Sequence, residues 1–232
     1  KVSYKPQRVD KIPELFKGKV DDLLKGIDER RILEKISERL GIKNILDKRI
    51  GEISGGELQL VAIIACLLRD ADVYYFDEPT SFLDVFQRIE IGKVIREFCS
   101  EREVIVVDHD LATLDFLADR VHIFYGEPGV YGIVSRPYGV GRGINNFLDG
   151  YIKEENMKIR EEPIKFFASF LKKELPTEVM ISFKGLRKKY EGFELFVKEG
   201  DVRKGEVVVV LRPNAIGKTT FARILAGETD AE

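Results

Sequence analysis

The stretch "GEVVVVLRPNAIGKTTFARILAGE" (205–228) constrains the fold more than any other part of this 232-residue chain. An apolar run leads into a short loop, and the loop opens a helix on "GKTT". Strand, loop and helix in that order form the context of a phosphate-binding loop. Backbone N–H groups of the loop and of the helix start would face a β-phosphate, where the helix dipole favours an anion. In this reading Asn214 and Gly217 belong to the cradle. Lys218 reaches the β- and γ-phosphates, Thr219 offers its hydroxyl to Mg²⁺, and Thr220 bonds the α-phosphate. The usual spacing G-x-x-x-x-G-K-S/T has a glycine where this chain has Arg212. Two readings of that arginine stand. It strains the loop by about 1–3 kcal/mol, or it takes a permitted conformation and points to solvent.

The rest of the chain supplies strands alternating with helices. "DVYYFDE" (72–78) and "EVIVVDHD" (103–110) read as buried strands, and "RVHIFYG" (120–126) as a third. Residues 1–20 read as extended or looping. A helix is expected from Asp21 to about Leu40, where Ile32, Leu33, Ile36 and Leu40 share a face. A second runs from a Ser54 cap to about Leu68, apolar on most sides and therefore buried. Helices follow at 85–99 and Leu111–Leu117. "EVMISF" (178–183), "GFELFVKEG" (192–200) and "GEVVVVL" (205–211) read as strands. "NMKIREEPIKF" (156–166) reads as extended up to Pro163. This alternation implies an α/β fold with a largely parallel sheet flanked by helices. Residues 126–150 are glycine-rich and read as a connector between domains.

Lys plus Arg (38) nearly balances Asp plus Glu (40), which argues against a chain dominated by nucleic-acid phosphate contacts. The basic run "FKGLRKKY" (183–190) reads as a solvated face or as an RNA contact. No apolar run reaches membrane-span length and no signal-peptide pattern opens the chain. Cys66 and Cys99 lie far apart without nearby metal-ligand partners, so reduced buried thiols and a cytoplasmic location are expected.

Two further motifs carry chemistry. "VYYFDEPTSFLD" (73–84) delivers Asp77 and Glu78 to the C-terminal edge of a sheet, where ligands of open α/β sheets bind. Asp77 is placed to hold Mg²⁺ through water, and Glu78 to orient or deprotonate an attacking water. "ISGGE" (53–57) sets Ser54, Gly55, Gly56 and Glu57 at a helix start suited to an anion. Taken alone, each is also a plain helix N-terminus.

Together, "ISGGE", "FDEPTSFLD", "VVDHD" and "GKTT" resemble the ABC ATPases, whose signature reads L-S-G-G-Q/E. "YKPQRVDKIP", "RDADVYYFDEPTSFLDV" and "VHIFYGEPGVYGIVSRPYGVGRGIN" narrow the resemblance to the ribosome-recycling, or RNase L inhibitor, family, and it covers nearly the whole chain. It implies a P-loop NTPase fold of ABC type with a helical signature subdomain and a Gly-rich hinge. It implies Gln7 as the glutamine-loop residue and a metal ligand beside Asp77 and Thr219. It implies His109 as the switch histidine beside the catalytic Glu78, and "SFLD" (81–84) as a loop facing a second domain. His122 lacks such support and reads as structural. Tyr190 or Phe193 would stack on adenine, or pack in the core. ATP and Mg²⁺ are the implied cofactors, and the family's iron–sulfur clusters are not expected in this chain. The ribosomal small subunit, termination factors and a second ABC half are the implied partners, with no membrane. Leu60, where the family has arginine, and Phe82, where it has tyrosine, depart from its pattern.

The motif order is glutamine loop, signature, "FDE", switch histidine, hinge, phosphate loop. It reads as the back of one ABC domain (1–125), a connector (126–176) and the front of the next (177–232). A circularly permuted single ABC domain has the same order. A nucleotide-binding-only piece, or the ATPase of a transporter or repair protein, are the alternative functions.

Overall fold

The structure is a computed structural model that describes residues 1–165, 177–190, 192–210 and 216–231. It divides into two compact units, Lys1–Phe166 and Phe167–Glu232.

In the first unit a parallel sheet runs in the order β1 (Val2–Lys5), β2 (Val73–Asp77), β3 (Glu103–Val107). Between β1 and β2 come α1 (Ile12–Leu15), α2 (Val20–Ile27), α3 (Leu33–Arg39) and α4 (Gly55–Leu68). After β2 come α5 (Val85–Phe98) and, beyond β3, α6 (Leu111–Leu117). The period-two alternation of strands sorts the side chains. Ser3, Lys5, Tyr74 and Phe76 are buried, whereas Val2, Tyr4, Ile105 and Val107 are exposed on the opposite face. The expectation that these strands are buried therefore holds for one face only. The core gathers α4 and α5 with residues of that face.

Local chemistry places the helices. Ser54 caps α4 by accepting from Glu57 N, while the Glu57 carboxylate takes Ser54 N, a reciprocal box that satisfies two helix-end donors. Asp84 and Gln87 do the same for α5. The single helix expected over 21–40 is broken. The Asp28 carboxylate accepts from Ile32 N and Leu33 N, both at 3.1 Å, and Arg31 takes a positive φ of 55°. Aspartate competes with the backbone for its own helix donors, so it ends one helix and starts the next.

The glycine-rich segment is folded rather than a bare connector. The strand expected over 120–126 splits into β4 (Arg120–Val121) and β5 (Phe124–Glu127). The Ser135 hydroxyl takes Ile123 N and the Ser135 carbonyl lies 2.9 Å from His122 Nδ1. β6 (Tyr131–Val134) pairs with β5, and β7 (Tyr138–Gly139) with β4. α7 (Val140–Asp149) leads to the short pair β8 (Tyr151–Ile152) and β9 (Met157–Lys158), the part of 156–166 that is strand. Ile123, Tyr138 and Ile152 form a small core. Beside it Glu155 accepts from Tyr138 Oη (2.7 Å), Tyr125 Oη (3.2 Å) and Arg136 N (3.1 Å).

The second unit contains the antiparallel hairpin β10 (Val179–Tyr190) and β11 (Phe193–Arg203), then α8 (Lys218–Leu225). The expected strand 205–211 is not formed over 206–210, and Leu211 lies outside the described residues. Val207 through Val210 are exposed. A valine run becomes a strand only against a neighbour, and the described part of this unit pairs β10 and β11 with each other alone.

Packing sets the expected cost of truncation. Ile64 on α4 is wholly buried and Phe124 on β5 is exposed. Ile64→Ala is expected to lower the unfolding free energy in urea by about 2–5 kcal/mol. Phe124→Ala should stay within about 0.5 kcal/mol of the parent.

Candidate functional site

β2 ends at Asp77, and Glu78 follows in a left-handed conformation with φ of 46°. Glu78 N donates to Val107 O at 2.7 Å, which ties the turn to β3. The Glu78 carboxylate then becomes a meeting point. Gln7 Nε2 donates to Oε1 at 2.7 Å, and His109 Nε2 lies 3.3 Å from the same oxygen. Ser81 Oγ donates to Oε2 at 3.1 Å. Asp77 Oδ2 accepts from Tyr4 Oη at 3.2 Å. Gln7, Asp77, Glu78 and His109 come from three separate segments, the exits of β1, β2 and β3, and converge at one edge of the sheet. The His109 side chain is 87% exposed and that of Glu78 21%, so the cluster opens to solvent.

Layers beneath it hold the loop. Thr80 donates its hydroxyl and its N–H to Asp108, and Asp108 Oδ1 also takes Asp110 N. The residue before His109 is thus tied to the residue two after Glu78. Asp110 pairs with Arg88 at 2.7 Å. Burial opposes ionisation of Asp110, but the bonds from Arg88 and Thr113 prevail and hold its carboxyl below the usual range. Lys5 is wholly buried, and burial pulls its amine down to about 8, against the charges of Asp77, Glu78 and Asp108.

At the start of α4, Ser54 and Gly55 are exposed, with Gly56 and Glu57 half-buried. A Cβ added at Gly55 would come within 4.0 Å of the Phe82 ring. Leu60 is buried in the core, so a side chain other than arginine fits there.

In the second unit Gly217 caps α8 with φ of 84°, and an added Cβ would fall 2.8 Å from the Phe193 ring. Only glycine meets both demands. Lys218 and Thr219 are exposed and Thr220 is half-buried. The Phe193 ring lies beside Gly217, whereas Tyr190 is 45% exposed at the end of β10. Arg212 and Asn214 lie outside the described residues.

The donor set suits Mg²⁺. Asp77, Glu78 and Gln7 offer oxygens, and no cluster of three or more His, Cys, Asp or Glu able to hold a metal occurs among the described residues. Mg²⁺ takes one or two carboxylates and completes its shell with water and phosphate oxygens rather than a protein cage.

Residues 1–81 match the ABC transporter family. An uncharacterized ABC transporter ATP-binding protein of Methanocaldococcus jannaschii is 47% identical over 227 residues, covering 98% of this chain and 37% of that protein. Translation initiation factor RLI1 of Saccharomyces cerevisiae is 41% identical over 236 residues, covering 98% of this chain and 39% of that protein. A solved archaeal ABCE1, in a model of ribosome-bound archaeal Pelota and ABCE1, superimposes with a TM-score of 0.95 at 47% identity. It covers 100% of this chain and 39% of that one. This chain belongs to the RNase L inhibitor family of ABC ATPases. It spans less than two fifths of the length of these two curated relatives. An archaeal ribosome recycling factor aABCE1, solved with the ribosomal stalk protein aP1, is 48% identical with a TM-score of 0.88, covering 100% of this chain and 45% of that one. Family membership accounts for the P-loop NTPase fold. No helix among the described residues is long and apolar enough to cross a membrane.

Residue-type reasoning missed the supports of the site: Lys5, Gln59, Thr80, Ser81 and Asp108. One signal was present. In "VSYK" the alternation puts Lys5 on the same face as Ser3, and Gln59 is the lone polar residue within "LQLVAIIA".

Cys66 and Cys99 are buried and unpaired with each other. Burial pushes the Cys66 thiol up to about 11 and the Cys99 thiol up to about 12. The stability contributed by these neutral thiols is complete below the ordinary value of 9.0 and is lost as pH rises through about 11. Iodoacetamide at about pH 8 should therefore leave both thiols of the folded chain unmodified while labelling the denatured chain. Equal labelling of the two would contradict their burial.

Proposed function

We propose that this chain supplies working parts of the ATP sites of a cytoplasmic ribosome-recycling ATPase. The observation that carries this reading is the convergence of Gln7, His109 and Ser81 on the Glu78 carboxylate, next to Asp77. Bound MgATP supplies the phosphoryl group that is transferred to water and a divalent charge that balances its oxygens. The chain's own residues do the rest. Glu78 orients a water and takes its proton on a carboxylate oxygen. Gln7 and His109 fix that carboxylate and report on its surroundings. Asp77 and Gln7 would contribute to one metal shell, and Thr219 to a metal shell in its own unit. Ser54, Gly55, Gly56 and Glu57 present a helix start to a γ-phosphate. Asn214, Gly217, Lys218 and Thr220 cradle phosphates, and Tyr190 stacks on the adenine.

In this reading residues 1–125 are the back of one ABC domain, 126–176 the hinge and 177–232 the front of a second. A single match covering 98% of the chain, in the order of the relatives' own sequences, supports it over a permuted domain. A second ABC half then completes the ATP sites to which these parts contribute. Small ribosomal subunits and termination factors are the partners, and splitting of ribosomes is the output.

Glu78→Gln in the complete gene product should lower ATP turnover by about 100-fold or more while nucleotide stays bound. The same variant should no longer separate ribosomal subunits on a density gradient. Turnover at the parent rate would contradict the assignment. Gly217→Ala forces a Cβ against Phe193 in a left-handed turn and should weaken binding of a fluorescent ATP analogue by about tenfold or more. Unchanged affinity would remove the phosphate loop from the site.

A further inference from the structure

Two buried polar side chains meet at the peptide carbonyls around Glu78. Lys5 Nζ donates to the Asp77 carbonyl at 2.7 Å and to the Glu78 carbonyl at 3.2 Å. Gln59 Nε2 donates to the same Glu78 carbonyl at 2.7 Å and to Pro79 O at 3.0 Å. Both side chains are 0% exposed. Burying an ammonium or an amide is costly unless its bonds are made. An apolar side chain of similar length would fill either place without that cost. Among the described residues the Gln59 Oε1 atom has no hydrogen-bond partner, whereas its nitrogen makes two bonds.

What the two donors share is a strained residue. Glu78 is not a glycine, yet it has a φ of 46°, a conformation that costs on the order of 1–3 kcal/mol and persists only where its surroundings over-determine it. Lys5 is the last residue of β1, two before Gln7. Gln59 lies on α4, five residues after Ser54. Each donor therefore joins a segment with a candidate nucleotide contact to the Glu78 peptide.

We propose that Lys5 and Gln59 are positioning residues that hold the Glu78 backbone in its left-handed conformation and so aim its carboxylate at the water. Through them the strand of Gln7 and the helix of Ser54 act on one peptide unit. A shift of either segment is felt at Glu78 without contact to its carboxylate. The inference rests on the reading of Glu78 as the group that activates water.

The test uses Lys5→Met and Gln59→Leu, which keep bulk and burial, with Glu78→Gln as reference, all in the complete gene product. Each positioning variant should lower kcat by about tenfold or more with KM for ATP changed by less than about threefold. Amide hydrogen exchange gives a second readout without nucleotide. The Glu78, Thr80 and Ser81 amides should exchange faster in both variants, with the ladders β1–β2 and β2–β3 protected as in the parent. Parent kcat and parent exchange at those amides in both variants would overturn the inference alone. Faster exchange spread along all three strands would show a merely structural role and overturn it as well. Should Lys5→Met not fold, Gln59→Leu decides by the same two readouts. Parent turnover in Glu78→Gln would overturn the reading of the site itself, and the inference with it.

Discussion

One hydrogen bond organises the edge of the candidate site: Glu78 N donating to Val107 O at 2.7 Å. It closes the β2–β3 ladder at the Asp77–Val107 pair while the chain turns left-handed at Glu78. The turn swings the carboxylate out of the sheet's alternation and over the strand ends. There Gln7 arrives from β1, and His109 arrives from β3. Parallel strands bring their C-terminal ends to one edge, so three successive strand exits supply three functional groups. An extended Glu78 would continue the alternation instead, and the partners would have nothing in common.

The electrostatics follow from the same edge. Asp77, Glu78, Asp108 and Asp110 would repel if left to themselves. Each has a donor: Tyr4 for Asp77, Gln7 and Ser81 for Glu78, Thr80 for Asp108, Arg88 for Asp110. The buried ammonium of Lys5 lies under the group and binds backbone rather than carboxylates. Asp108 and Asp110 bond backbone N–H groups, whereas Asp77 and Glu78 accept from side chains that can turn away when a cation arrives. A divalent ion and a phosphate arriving together suit an edge so divided.

Legibility from sequence followed the strength of local chemistry. α4 was readable because Ser54, Glu57 and an all-apolar run agree with one another. β2 and β3 were readable as apolar runs ending in acids, though not that one face of them is exposed. The helix break at Asp28 was missed because the apolar spacing continues across it. What decides there is a side chain bonding two backbone donors, which periodicity does not register. The valines after Gly205 misled in the other direction, since a strand needs a pairing edge that the described residues of that unit do not offer. Glycines over 126–150 suggested a linker, yet Ser135 and Glu155 gather the short strands around Ile123 and Tyr138. Of the candidate site, Gln7, Asp77, Glu78 and His109 were named from the motifs, and the structure brings them to one edge. Lys5 and Gln59 were not, because a buried lysine on a strand is indistinguishable from an exposed one until the sheet's faces are known.

The central claim is that Gln7 and His109 act through one carboxylate, that of Glu78. A double-mutant cycle on ATP turnover of the complete gene product tests it most directly, with Gln7→Ala, His109→Ala and the pair. Groups that share one acceptor give a coupling of about 1 kcal/mol or more, so the double variant should be little slower than the worse single. Losses that simply multiply, with coupling below about 0.3 kcal/mol, would mean two independent roles and would contradict the account.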